Sequence, residues 1–198
     1  SVNIFSNVFL KYAVAIISLS AIGHFVPEAM GLGTSTVLSA VSGEFVLYFA
    51  LIILIGKILA TSISLGFGFF GGVFSPALLV GASAGAVVAE LFVVVGFLEK
   101  FEPALVISGM AAVTGAVIGA PICMVVIVME LTSSYIYALS SLVGLTLSVS
   151  LSHILFGASY FDRQLGTRGI DISTGRSGMF LMEKRASDYA SFDYIELY

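Results

Sequence analysis

The stretch GFFGGVFSPALLVGASAG, residues 68–85, places five glycines and a proline in the most apolar part of an already apolar chain. Glycine and proline both weaken helices, so their gathering here needs a reason. Gly71 and Gly72 can take backbone angles closed to other residues and let a ligand or another backbone come close. Pro76 fits the first turn of a helix, where its missing N–H costs nothing. The pattern predicts a helix beginning near Val73–Phe74, with the N–H groups of Gly72 to Ser75 facing back into the break. Such an end carries roughly half a positive charge and contributes up to about 2 kcal/mol to binding an anion when partly buried. A helix start placed inside a membrane is then an anion site that needs no basic side chain. Close helix packing is the competing reading of glycine, and it suits Gly81 with Gly85, and Gly115 with Gly119, both at GxxxG spacing. It explains less of Gly71-Gly72-Val73-Phe74-Ser75-Pro76, because Pro76 marks a start and not a continuous interface.

The composition puts this break in a bilayer. Hydrophobic residues make up 59% of the 198 positions, charged residues 10%, and the mean hydropathy is +1.10, beyond the roughly 45–50% apolar content of a soluble domain. A net charge of −4 gives no surface for nucleic acid. Five of the eight Lys and Arg follow residue 160, namely Arg163, Arg168, Arg176, Lys184 and Arg185. The positive-inside tendency therefore puts the tail in the cytoplasm. The single cysteine, Cys123, reads as a small buried apolar residue. The chain opens SVNIFSNVFL with neither a starting methionine nor a leader's cleavage site, as expected of a piece of something longer.

About 20 apolar residues cross a bilayer, whereas runs of about 10–14 belong to broken or re-entrant elements. Residues 8–26 read as a first helix ended by Pro27, and 35–42 is too brief to span. Residues 44–65 are long enough to cross; after the break another long helix runs from about Phe74 to Phe97. FLEKFEP, 97–103, is a loop. Two shorter helices follow, 104–119 and 121–132, the second started by Pro121, and 133–157 spans again. The expected fold is all-α and polytopic, with a transmembrane region over 1–160 and a final helix and tail over 161–198. Broken helices of this kind surround a site, because helix ends in a membrane must be satisfied by protein, water or an ion.

The residues resemble those of the CLC chloride channels and chloride/proton antiporters. GGVFSP, 71–76, is similar to the family's GxFxP signature. SGMAAVTGAVIGAPICMVVIVMELT, 108–132, resembles its stretch leading through a proline-started helix to Glu-x-Thr, here Glu130 and Thr132. GKILATSISLGFGFFGG, 56–72, resembles the helix before the signature, with Lys57 four residues before Thr61. The resemblance covers about residues 8–170 and implies the second of two inverted repeats plus the final helix, with a missing amino-terminal repeat and a homodimer as partners. It implies chloride as the bound and transported ion, no other cofactor, and no catalysis. It assigns the central anion to the amides of Val73 and Phe74, with Gly72 permitting the approach. A tyrosine opening the last helix adds a hydroxyl in the family. Counting without a gap from Glu130 puts Phe161 there, followed by the expected Asp162; a one-residue shift puts Tyr160 there. The signatures GSGIP and GxEGP, the latter carrying the gating glutamate, belong to the first repeat and do not occur in these residues. Channel and antiporter are left undecided.

Lys57 is a lone cation near the middle of a span, where charges face a cavity or a partner. It either adds positive potential to an anion pathway, pairs with Glu130, or snorkels. Ser83 sits in a GxSxG pattern, GASAG, with His153 downstream, but a hydrolase elbow needs a strand before the serine and an acid behind the histidine, and Ser83 falls inside a helix. His24 and His153 lack metal-ligand spacing, so no metal site is expected. Another broken-helix transporter of an anionic solute, or a non-transporting scaffold, is the alternative to the family reading.

Overall fold

The computed structural model describes residues 8–69, 71–97, 103–157 and 159–167. They belong to two compact units, one ending at Ser159 and the other beginning at Tyr160. The first runs α1 (Val8–Phe25), a 3-10 turn (Pro27–Ala29), α2 (Thr34–Val41), α3 (Leu47–Phe67), α4 (Phe74–Val94), α5 (Pro103–Ile118), α6 (Pro121–Thr132) and α7 (Tyr135–Phe156). The described part of the second is α8 (Tyr160–Gly166). No strand occurs among the described residues. The polar tail, for which a cytoplasmic position is expected, lies outside them beyond Thr167.

Local chemistry sets most boundaries. Pro27, Pro103 and Pro121 each open a helical element at its first position, where a fixed φ helps and a missing N–H is harmless. Gly68 closes α3 at φ +86°: its N–H reaches Leu65 O at 3.1 Å and the next, from Phe69, reaches Ser64 O at 2.9 Å. Gly96 closes α4 in the same way at φ +82°, with Phe97 N–H on Phe92 O at 2.9 Å. Both are Schellman stops, which require a left-handed residue that glycine supplies without strain. Gly96 is also why α4 ends at Val94, three residues short of the sequence expectation.

α3, α4 and α7 are long and apolar enough to cross a membrane, and α5 and α6 are shorter apolar helices. Large apolar side chains point outward along them; Leu142, Val143, Leu147, Leu151 and Ile154 on α7 are all exposed. In a soluble protein such a surface would be a liability, whereas in lipid it is the ordinary solvent-facing side. The chain is an integral membrane protein.

Inside, two apolar clusters meet at α5. Phe45, Ile53, Leu79, Ala82, Ala86 and Val106 join α3, α4 and α5, while Ile107, Ala111, Met124, Val128 and Leu145 join α5, α6 and α7. The α4–α5 seam is backbone on backbone. A Cβ at Gly81 would strike Gly109 O and lie 2.7 Å from Met110 Cα; one at Gly85 would lie 2.5 Å from Leu105 O and 2.7 Å from Val106 Cα. Since apolar side chains gain nothing by leaving lipid, such close approach is what holds membrane helices together. Gly115 serves similarly against the Leu145 side chain, but Gly119 has φ +78° and turns the chain after α5. On the other face of α5, Ser108 Oγ donates to Ser140 O at 2.9 Å, and Gly144 leaves room for that hydroxyl.

This seam predicts that Gly85→Val destabilises the protein by about 1–3 kcal/mol or more, the cost of overpacking against backbone that cannot move aside. Gly66→Ala, at a position with no neighbour within 4 Å, serves as its control. Thermal unfolding in detergent followed by fluorescence-detected chromatography checks both; equal midpoints would refute the close-packed seam.

Candidate functional site

The glycine-rich break is a real interruption between two helices. α3 stops at Gly68, and α4 starts at Phe74 with Val73 before it at φ −89°, ψ −16° and no side chain capping the first turn. Ala77 is the first residue whose N–H closes onto this helix, reaching Val73 O at 3.1 Å. Pro76 has no N–H to offer, so the amides of Val73, Phe74 and Ser75 form the open, partly positive end. The start falls where the sequence puts it. Gly72, however, does not hold a left-handed angle; among the described glycines with positive φ, the one at this break is Gly68. What Gly71 and Gly72 contribute is emptiness: a Cβ on either would meet nothing within 4 Å.

That emptiness belongs to a cavity of about 290 Å³ between α1, the 3-10 turn and its linker, α3 and the start of α4. Gly71, Gly72, Val73 and Pro76 form one wall, and Lys57, Thr61 and Ser64 of α3 form another. The latter three stand four and three residues apart, so the helix period brings them to one face. Lys57 was singled out in the sequence, and the structure brings it to the same cavity as the signature. Ser64 was not singled out, although its spacing from Lys57 and Thr61 was visible. Phe74 is 42% exposed at the helix start, and Ser75 Oγ is engaged elsewhere, donating to Leu32 O at 2.6 Å.

Lys57 does not pair with Glu130, which is exposed on α6. It is 4% exposed, and its ammonium donates to Ala29 O at 2.9 Å and Gly31 O at 2.8 Å. Those carbonyls are reachable because the preceding residue is Gly56, packed against Val26 and Ala29, whose side chains lie 3.3–3.4 Å from where its Cβ would be. An ammonium has three donors, and two are committed here. Its nitrogen is thus held by neutral acceptors at the cavity wall, with no ion pair among the described residues.

Ser83 is fully buried in the middle of α4, and its hydroxyl has no hydrogen-bond partner among the described residues. His153 is in the last turn of α7 and exposed. A serine nucleophile requires a base in hydrogen-bond reach, and none reaches Ser83 among the described residues. No cluster of three or more potential metal-ligating His, Cys, Asp or Glu occurs among the described residues. In the second unit, Tyr160 and Phe161 open α8 side by side, their ring centroids 5.6 Å apart and nearly perpendicular.

Helices broken by glycine and started by proline, with a buried cation beside the open helix end, define an all-α polytopic membrane protein of the broken-helix kind. The chain belongs to the voltage gated chloride channel family, whose model matches residues 3–153. It is 30% identical over 143 residues to the H(+)/Cl(-) exchange transporter ClcA of Vibrio cholerae, covering 71% of this chain and 30% of that protein. Against ClcA of Vibrio parahaemolyticus the identity is 27% over 142 residues, with the same coverage. The protein MJ0305 of Methanocaldococcus jannaschii is 31% identical over 122 residues, 60% of this chain and 29% of its own. The chain therefore spans about 30% of the length of these relatives.

The carbonyl clamp on Lys57 predicts that Lys57→Met lowers stability, because the buried Ala29 carbonyl and the part-buried Gly31 carbonyl lose a charged donor, at about 1–3 kcal/mol. Lys57→Arg, which keeps charge and donors, should lose less. Midpoints of thermal unfolding in detergent measure the difference, and a Met variant as stable as the parent would refute the clamp.

Proposed function

We propose that this chain is the carboxyl-terminal half of the membrane part of a chloride transporter, a CLC-type channel or chloride/proton antiporter. The observation that carries the reading is the cavity in which open amides at the start of α4 share a space with the buried Lys57 ammonium. A partly dehydrated chloride would accept from the N–H groups of Val73 and Phe74, with Ser75 N–H in the same open turn and Gly72 leaving room for the ion. Lys57 would add positive potential without contact, and the hydroxyls of Thr61 and Ser64 would replace part of the water shell. Binding by dipoles and a held cation stays weak enough for the ion to leave, which conduction requires.

On this reading residues 1–160 form one repeat of an inverted pair and 161–198 the final helix and a cytoplasmic tail. The other repeat supplies the remaining ligands and the gating carboxylate. Phe161 or Tyr160 stands at the inner end of the pathway, Phe161 giving an apolar ring and Tyr160 a hydroxyl. The assembly is a homodimer, and neither a catalytic step nor a cofactor besides chloride enters.

The test is anion flux from liposomes containing the full protein. Gly72→Leu adds a side chain at a wall of the cavity where a Cβ would meet nothing within 4 Å. It should reduce chloride flux about 10- to 30-fold, the latter being the full weight of a helix-end interaction of about 2 kcal/mol. Unchanged flux would sink the site. The same vesicles under an imposed proton gradient separate the two modes: proton movement opposed to chloride marks an exchanger, and indifference to the gradient a channel.

A further inference from the structure

Between the 3-10 turn and α2 the chain passes through Met30-Gly31-Leu32-Gly33, with Gly31 at φ +64° and Gly33 at φ +70°. Three carbonyls in and beside this linker are held by side chains from elsewhere. Lys57 of α3 takes Ala29 O and Gly31 O, and Ser75 of α4 takes Leu32 O. The next residue is pressed against the same helix, since a Cβ on Gly33 would come within 2.6 Å of Leu79 Cδ2. Ser75 and Leu79 are four residues apart and share a face of α4, so the linker lies along the first turns of that helix. The Leu32 side chain is 72% exposed. Its own burial therefore does little to hold the linker here; the hydroxyl bond to its carbonyl and the neighbouring Gly33–Leu79 contact attach it to α4.

The covalent path between α3 and α4 runs through the glycine break, where Gly71 and Gly72 have open space around them. The linker is a second path between the same helices, from Lys57 through three backbone carbonyls to Ser75. We infer that Ser75 is a positioning residue: its hydroxyl straps the first turn of α4, by way of the linker, to the Lys57 side of α3. The strap sets where the amides of Val73 and Phe74 stand relative to the ammonium. This role rests on reading those amides as the anion site. A serine at this point of a helix could have bonded within its own turn; here its hydroxyl crosses to a carbonyl 43 residues away in sequence.

The experiment compares the reconstituted full protein with Ser75→Ala and Ser75→Thr, measuring chloride affinity by calorimetry and deuterium uptake in segments 29–33 and 71–77. Alanine suits a helix's first turn well enough to fold, and threonine restores the hydroxyl. Ser75→Ala should weaken chloride binding about fivefold, the weight of one hydrogen bond, and raise uptake in both segments together. Ser75→Thr should return both toward the parent. If the parent binds chloride and Ser75→Ala binds it equally well, or if uptake rises in only one segment, the strap is overturned. If chloride does not protect segment 71–77 even in the parent, the anion reading fails, and this inference with it.

Discussion

A helix that starts without a capping side chain leaves its first backbone donors to be satisfied from outside the helix, and the surroundings of α4 answer that constraint. α4 begins after a glycine break with no side-chain cap and a proline in its first turn. A soluble helix in this position would have a serine or aspartate before it to take up the open amides. Here Val73 occupies the capping position and offers nothing, so the donors are left for something that is not part of the helix. Leaving them open is tolerable only where they face a cavity, and α1, the 3-10 turn, its linker and α3 together form one.

The buried lysine belongs to the same problem. A cation held in a carboxylate pair would present little net charge to the cavity, and the pair would still carry the desolvation cost of both groups. Held by the carbonyls of Ala29 and Gly31, Lys57 is hydrogen-bonded to neutral acceptors and makes no ion pair among the described residues. Those carbonyls in turn are available because Gly31 bends the linker back on itself at φ +64°. The positive wall of the cavity is therefore a product of a glycine turn in one segment and a lysine in another, and neither alone would produce it.

Much of the fold was legible in the sequence because its signals are local. Pro121 opens a helix at its own position and apolar length separates the spans from the short elements, whereas Gly96 stops α4 before the expected Phe97 and Pro103, expected in the loop, opens α5. The start of α4 was legible for the same reason. The partners of Lys57 were not, because they lie 26 and 28 residues back in a segment that reads only as a turn; the one acid weighed as its partner, Glu130, is on another helix and exposed. Backbone carbonyls have no letter in a sequence, so a cation that binds them looks unpaired. The same holds for Ser75, whose letter suggests a cap or a surface hydroxyl and whose bond goes to Leu32 O. The role of Gly72 was read in part: the open approach is there, but the unusual angle belongs to Gly68, where α3 needs a stop.

The packing of α4 explains why its first turns need holding at all. From Gly81 onward the helix is fixed by backbone contact with α5, at Gly109 and Met110 and again at Leu105 and Val106. Contacts of that kind leave no side chain to flex, so this length behaves as a rigid strut. Before Gly81 the glycine seam ends, and the first two turns extend past it toward the cavity. Electrostatic interaction at a helix end falls off within a turn, so on the proposed reading a small tilt of that extension would separate the amides from the Lys57 side of the cavity. Leu79, fully buried against Gly33, and Ser75, bonded to Leu32, lie on the extension one turn apart. The seam thus fixes α4 where it crosses α5, and the linker contacts it where it meets the cavity.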